Sequence, residues 1–179
     1  MAEPSIASDS AGHAALQVMV DRAAITDLIH RYSRAVDRLD ADLLRSVYWP
    51  DGTDDHGIFV GSAPDYVDWV MAFVGAWIST HHDNSNVMIE LDGDLAYGEC
   101  HWVGWYRRQD GDQVVDQVSV GRYLDRFERR DGEWRILHRA CISDWSRSAP
   151  FEGKQRDHRL SGRRGPTDLV YQVRELRLG

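Results

Sequence analysis

The spacing of apolar residues changes once along this chain, near Thr80, and that change constrains the fold more than any motif does. Before it, apolar side chains recur every three or four residues, the period of a helix. Beyond it they alternate, the period of a strand. Ile25, Leu28, Ile29, Tyr32, Val36 and Leu39 give one stripe on a first helix from about Val18 to Leu39. Asp40-Ala41-Asp42 starts a short second helix with Leu43, Leu44, Val47 and Tyr48 on its buried side, and Pro50 stops it. The segment from Asp51-Gly52 to Val60 reads as a short strand or hairpin. Ala63-Pro64-Asp65 opens a third helix, where proline suits the first turn. Strands are expected over 82–91, 95–108, 114–127 and 133–145. Asp92-Gly93-Asp94, Asp110-Gly111-Asp112 and Arg130-Asp131-Gly132 join them as hairpin turns.

Three helices followed by four meandering strands predict an α+β domain. A cone-shaped, curved antiparallel sheet (an α+β barrel) and three N-terminal helices would enclose a pocket. The 179 residues suffice for one sizeable core and not comfortably for two. Residues 1–16 read as a flexible leader and 17–147 as the domain. Residues 148–179, rich in glycine and proline, read as an extension that caps the pocket or serves as a subunit arm. The net charge of −8 argues against nucleic acid, because no basic stripe exists to displace phosphate counterions. The densest basic stretch, Arg159 to Arg164, reads as a solvated tail. Cys100 and Cys141 stand far apart outside any CxxC pattern and read as buried free thiols. With no secretory signal and no run of membrane-spanning length, a cytoplasmic protein without membrane contact is expected. Aromatic Trp102, Trp105 and Tyr106 on an open sheet face predict a homo-oligomer, a dimer ahead of a trimer.

Asp37, near the end of the first helix, and His82, at the start of the first long strand, are the polar residues that most need a reason. A carboxylate holding an imidazole makes a general base. Against this stands the plainer reading of a solvated helix end and a structural histidine. Tyr32 lies five residues before Asp37, about 500° around a helix, on a neighbouring side. His82 shares its strand face with Asn84, Asn86 and Met88, and His101 is a second candidate pocket histidine. Arg139, among small and apolar neighbours, would hold an anion or a polarised oxygen, or else a structural carboxylate. Asp54-Asp55-His56-Gly57 and His81-His82-Asp83 lack a third ligand at suitable spacing, so no metal is expected. No Walker loop, Rossmann glycine pattern, GxSxG or HExxH occurs, so neither a nucleotide cofactor nor a serine triad is expected.

The run Tyr48-Trp49-Pro50-Asp51-Gly52-Thr53-Asp54-Asp55-His56-Gly57, His82 with Asn86 four places on, and Gly121 to Trp134 together resemble SnoaL-like proteins. The resemblance spans roughly residues 18–146 and implies the nuclear transport factor 2-like fold. Within that superfamily the pattern is most similar to lyases such as lindane dehydrochlorinase, scytalone dehydratase and bile-acid 7α-dehydratase. It implies that Asp37 orients His82 as the base, and that Arg139, five residues after Trp134, and Tyr32 assist. His101 stands for the second histidine of scytalone dehydratase. The chain beyond Trp145 departs from the pattern. The expectation is a cofactor-independent lyase, with Asp37, His82, Tyr32 and Arg139 catalytic and Tyr48, Asp54, Asn86 and His101 binding substrate. The substrate would be an aromatic or polycyclic small molecule that loses water or a small group, or is cleaved by retro-aldol chemistry. The alternatives are an isomerase of ketosteroid-isomerase type, and a non-catalytic ligand binder or dioxygenase β-subunit-like protein.

Overall fold

The computed structural model describes residues 6–153 and 161–173. Helix α1 runs Ile6–Arg38, α2 Ala41–Val47 and α3 Ala63–Gly75. Strands follow as β1 (Tyr48–Asp55), β2 (Val60–Ser62), β3 (Ser79–Asp92), β4 (Leu95–Asp110), β5 (Gln113–Arg130) and β6 (Glu133–Pro150). The four long strands all follow α3 and begin at Ser79, as the change of period predicts, while the short β1 and β2 precede it.

The first helix begins at Ile6 rather than near Val18. Residues 11–20 are exposed, so packing does not dictate that turn of chain; runs such as His13-Ala14-Ala15-Leu16-Gln17 simply favour helix. The expected stripe is the buried one: Ile25, Leu28, Ile29, Tyr32 and Val36 are nearly inaccessible. Leu39 adopts a left-handed φ of 56°, which ends α1, and the Asp40 side chain accepts from Leu43 N–H to cap α2. Tyr48 leaves α2 and begins β1, which carries Pro50 within it.

The six strands form one open sheet in the order β2-β1-β6-β5-β4-β3. The sheet is mixed rather than wholly antiparallel, because β1 runs parallel to β6. β3 to β6 make the expected antiparallel meander. Register shifts change which residues face the helices. The β3–β4 register slips between Ser85 and Met88, where Asn86 takes a φ of 51°. The β5–β6 register slips between Arg126 and Phe127, opposite Leu137. The second slip puts Arg139 on the same inner face as Trp134 and Ile136.

β3 is stapled to the end of α1. Thr80 and His82 both bond Asp37, and Asn84 Nδ2 donates to Ser33 Oγ at 2.6 Å. Farther along α1, Asp21 accepts from Trp134 Nε1 at 2.9 Å and pairs with Arg129 at 3.0 Å. The aromatic trio read as one sheet face divides. Trp102 and Tyr106 point inward, and Trp105 points outward with 52% of its surface exposed. The outer face also exposes Trp145, across the sheet from Val120 and Val103.

The tail is not wholly solvated. The Arg164 guanidinium is half-buried, donating to the carbonyls of Val74 and Trp77 at 2.8 and 2.9 Å. Tyr171 donates to Asp40, and Arg38 pairs with Asp168. Arg159 lies outside the described residues. No helix among the described residues is long and apolar enough to cross a membrane.

Candidate active site

A cavity of about 240 Å³ lies between α1, α3 and the inner face of the sheet. One wall is apolar: Trp69 and Phe73 on α3, stacked at 5.1 Å, and Trp77 just beyond the end of that helix. Besides Gln117, Ser119 and Ser143, two sets of polar groups reach the cavity at its sides. His82 and Tyr106 come from β3 and β4, and His56, Tyr32 and Tyr66 from the β1 end of the sheet and the helices.

On the first side, Asp37 Oδ1 accepts from His82 Nδ1 at 2.7 Å and from Thr80 Oγ1 at 2.9 Å. Its other oxygen accepts the backbone N–H of His82 at 2.8 Å. Both side chains are largely buried, with 6% of His82 and 7% of Asp37 exposed. Burial alone would raise the Asp37 carboxyl. The bonds from His82 and Thr80 outweigh it and hold the group below the usual carboxylate range. Asp37 is therefore an acceptor at neutral pH and fixes a ring proton of His82 on Nδ1. Nε2 points toward Tyr106, whose hydroxyl lies 3.1 Å away. Gly104, opposite His82 on β4, makes room for this: a Cβ there would collide with the Tyr106 hydroxyl. Burial also raises the Tyr106 hydroxyl, which stays protonated as a donor.

Arg164 supports this pair from below. It contacts the Asp37 carbonyl at 3.4 Å and Thr80 Oγ1 at 3.5 Å. None of residues 161–173 lines the cavity, so the described part of the tail braces the site and does not cover it.

The second side holds a pair that the sequence reading passed over. His56 Nδ1 makes a short hydrogen bond to Asp54, and Asp54 also accepts from Tyr48 at 2.6 Å. His56 Nε2 lies 3.1 Å from the Tyr66 hydroxyl and 3.3 Å from that of Tyr32, and these two hydroxyls bond each other. Asp54 and His56 are two apart in extended chain and so share a face, a spacing visible in the sequence.

The expected site residues therefore divide. His82 and Tyr32 line the cavity from its two sides, and Asp37 sits behind His82. Tyr48 and Asp54 are buried behind His56 and do not line it. Asn86 and His101 are exposed on the outer face, 3.3 Å from each other, because the slip after Ser85 turns Asn86 outward. They are not placed to bind a substrate in the cavity. Arg139 is also behind the wall. It is fully buried, bonds Asp125 through two nitrogens at 2.7 Å each, and lies 4.0 Å from the ring centres of both Tyr32 and Tyr123. The structural carboxylate is thus Asp125, and Arg139 is a scaffold for the two tyrosines. Cys141 does line the cavity, but burial pushes its thiol up to about 12, so it is no thiolate at neutral pH.

The SnoaL-like domain family matches residues 17–140. The chain belongs to that family. No curated protein matches this SnoaL-like chain significantly. Solved structures do resemble it. The hexachlorocyclohexane dehydrochlorinase LinA-type3 from Novosphingobium barchaimii LL02 is 24% identical, with a TM-score of 0.66 over 80% of this chain and 98% of that one. A putative scytalone dehydratase from Novosphingobium aromaticivorans is 20% identical, with a TM-score of 0.64 over 77% and 97%. The Kfla4162 protein from Kribbella flavida is 24% identical, with a TM-score of 0.67 over 73% and 95%. At these identities the likeness shows the shared α+β cone.

Proposed function

We propose that this SnoaL-like protein is a cofactor-independent lyase in which Asp37–His82 is the general base. The observation that carries the reading is the buried bond from His82 Nδ1 to Asp37, with Nε2 beside the Tyr106 hydroxyl at the side of the cavity. A neutral imidazole so held takes a proton from substrate carbon or hydroxyl, and Asp37 stabilises the imidazolium that results. Tyr106 yields its place at Nε2 when substrate enters. Tyr32, with its raised hydroxyl, stays a donor for the leaving or developing oxygen. The dehydrochlorinase and dehydratase names of the structural neighbours agree with an elimination.

The cavity suits a small substrate. A dry cavity of about 150 Å³ accepts one benzene ring. The 240 Å³ here fits a substituted aromatic ring better than a polycyclic alcohol. A self-associating protein belongs to the same reading, since Trp105 and Trp145 expose apolar surface on the outer sheet face. A single-chain mass in sedimentation would remove that part.

The test uses a β-chloro-β-aryl ketone with wild type and His82→Gln. The reading expects loss of HCl, a lighter unsaturated product, and a variant that folds yet turns over about a hundredfold more slowly or worse. A product of unchanged mass would make the protein an isomerase with the same base. Equal rates in both proteins would sink the mechanism. A chain that only binds ligand has no use for a base so oriented, and it would show no turnover in either.

A further inference from the structure

The cavity has polar groups on both sides. His82 stands on β3, at one edge of the open sheet, and His56 follows β1, near the other edge. Each imidazole has a carboxylate on Nδ1 and tyrosine hydroxyl at Nε2. The two units differ in what surrounds them. His82 meets one hydroxyl, from Tyr106. His56 meets two that bond each other, from Tyr66 on α3 and Tyr32 on α1.

We propose that Asp54–His56 is a second proton-handling unit, which supplies through the Tyr66 and Tyr32 hydroxyls the proton taken by a leaving oxygen. The proposal rests on the reading of His82 as the base, and it gives the site a substrate class: β-hydroxy carbonyl compounds carrying one aromatic ring. Hydroxide is a poor leaving group, so expelling it needs a proton at the moment the carbon–oxygen bond breaks.

His82 Nε2 takes the proton from the carbon next to the carbonyl, and that electron pair forms the new double bond. The carbon–oxygen bond breaks and its pair stays on oxygen. That oxygen takes a proton from a tyrosine hydroxyl, which is refilled from His56 Nε2–H. The products are the unsaturated carbonyl compound and water. His82 ends as the cation and His56 neutral, and solvent returns the proton between turnovers.

The tyrosines alone would serve badly. Burial raises both Tyr32 and Tyr66 well above the ordinary phenol range, so a tyrosinate left behind would be costly. A proton on His56 Nε2, within hydrogen-bond reach of both, lets the hydroxyls pass a proton without being left charged. The groups around His56 suit a cation there. Asp54 from β1 bonds it, with Tyr48 completing that carboxylate's shell; Tyr66, Tyr32 and the more distant Tyr123 present uncharged rings. The nearby cation, Arg139, is neutralised by Asp125. His56 acts through the hydroxyls and is in that sense a positioning and proton-supplying residue.

The experiment compares two probes differing only in the leaving group: 4-hydroxy-4-phenylbutan-2-one, which must lose water, and its 4-chloro analogue, whose chloride needs no proton. Wild type, His56→Gln and His82→Gln are assayed across pH, with melting curves to confirm folding. His56→Gln should lower the ratio of water loss to chloride loss by about a hundredfold. It should also remove the alkaline fall in the rate of water loss, which a merely structural role would not touch. His82→Gln should lower both reactions together. An unchanged ratio in His56→Gln overturns the acid unit and leaves the base standing, as does a wild type that expels chloride but not water. A wild type inactive on both probes, or a fully active His82→Gln, overturns the base reading instead. Should His56→Gln not fold, imidazole nitrogen NMR of the wild type decides. His56 must carry protons on both nitrogens where water loss is fastest, and a neutral ring there overturns the proposal.

Discussion

The residues that matter most here are carboxylates, each with a different partner. Asp37 holds an imidazole at the cavity, Asp54 holds a second one, and Asp125 holds a guanidinium out of reach of substrate. The last pair shows why Arg139 is not a substrate ligand: both oxygens of Asp125 are engaged by two of its nitrogens, and two tyrosine rings cover its faces. Removing one partner leaves a buried charge alone. Asp125→Asn is therefore expected to destabilise the protein by about 3–5 kcal/mol in urea denaturation. Replacing Asp125 and Arg139 together by leucine and methionine should cost markedly less. Equal losses for the single and double variants would contradict this. In the sequence, Asp37, His82 and Tyr32 were legible because helix and strand spacing point them inward. His56 was legible in principle and missed. The inward turn of Arg139 toward Asp125 was not, since it depends on a slipped register at Leu137 that no residue announces.

At the level of elements, the helices and the meander follow from period and turn chemistry, and the irregularities do not. The slip in β3 lets Thr80, His82 and Asn84 bond α1 while Val87 and Ile89 face inward beyond it. Plain alternation carries Asn86 and Met88 with His82, and so puts Asn86 in the wrong place. The parallel pairing of β1 with β6 is likewise tertiary: a short strand reached from α2 has no sequence mark of its partner. The tail element has a clear physical task. Arg164 satisfies carbonyls where α3 ends, and it touches the Asp37 carbonyl near the end of α1 and Thr80 at the start of β3. Arg164→Ala should lower stability by about 1–2 kcal/mol. Arg164→Lys should recover only part of it, because a single ammonium does not span these acceptors. Denaturation curves for the three proteins check this, and a neutral Arg164→Ala would show the brace to be incidental.

For the whole molecule, the common sign of the carboxylate shifts sets the response to acid. Asp21, Asp37, Asp116 and Asp168 are all held below the ordinary range, with bonds from arginine, histidine, tryptophan or backbone N–H outweighing burial. Groups with a depressed folded pKa bind fewer protons than in the unfolded chain. Their stabilisation is complete above the unfolded value, near pH ~4, and is lost as pH falls through the folded values. The denaturation midpoint should thus hold between pH 7 and 5 and drop steeply below 4. A midpoint that rises in acid would contradict the assignment.

The central claim is that His82, held by Asp37, removes a proton from carbon. The most direct measurement is solvent deuterium exchange into 4-phenylbutan-2-one, a ketone with nothing to eliminate, followed by proton NMR with wild type and His82→Gln. Wild type should speed exchange beside the carbonyl, and the variant, still folded, should lose about a hundredfold or more of that rate. Exchange that proceeds equally in both proteins, or in neither, would contradict the account.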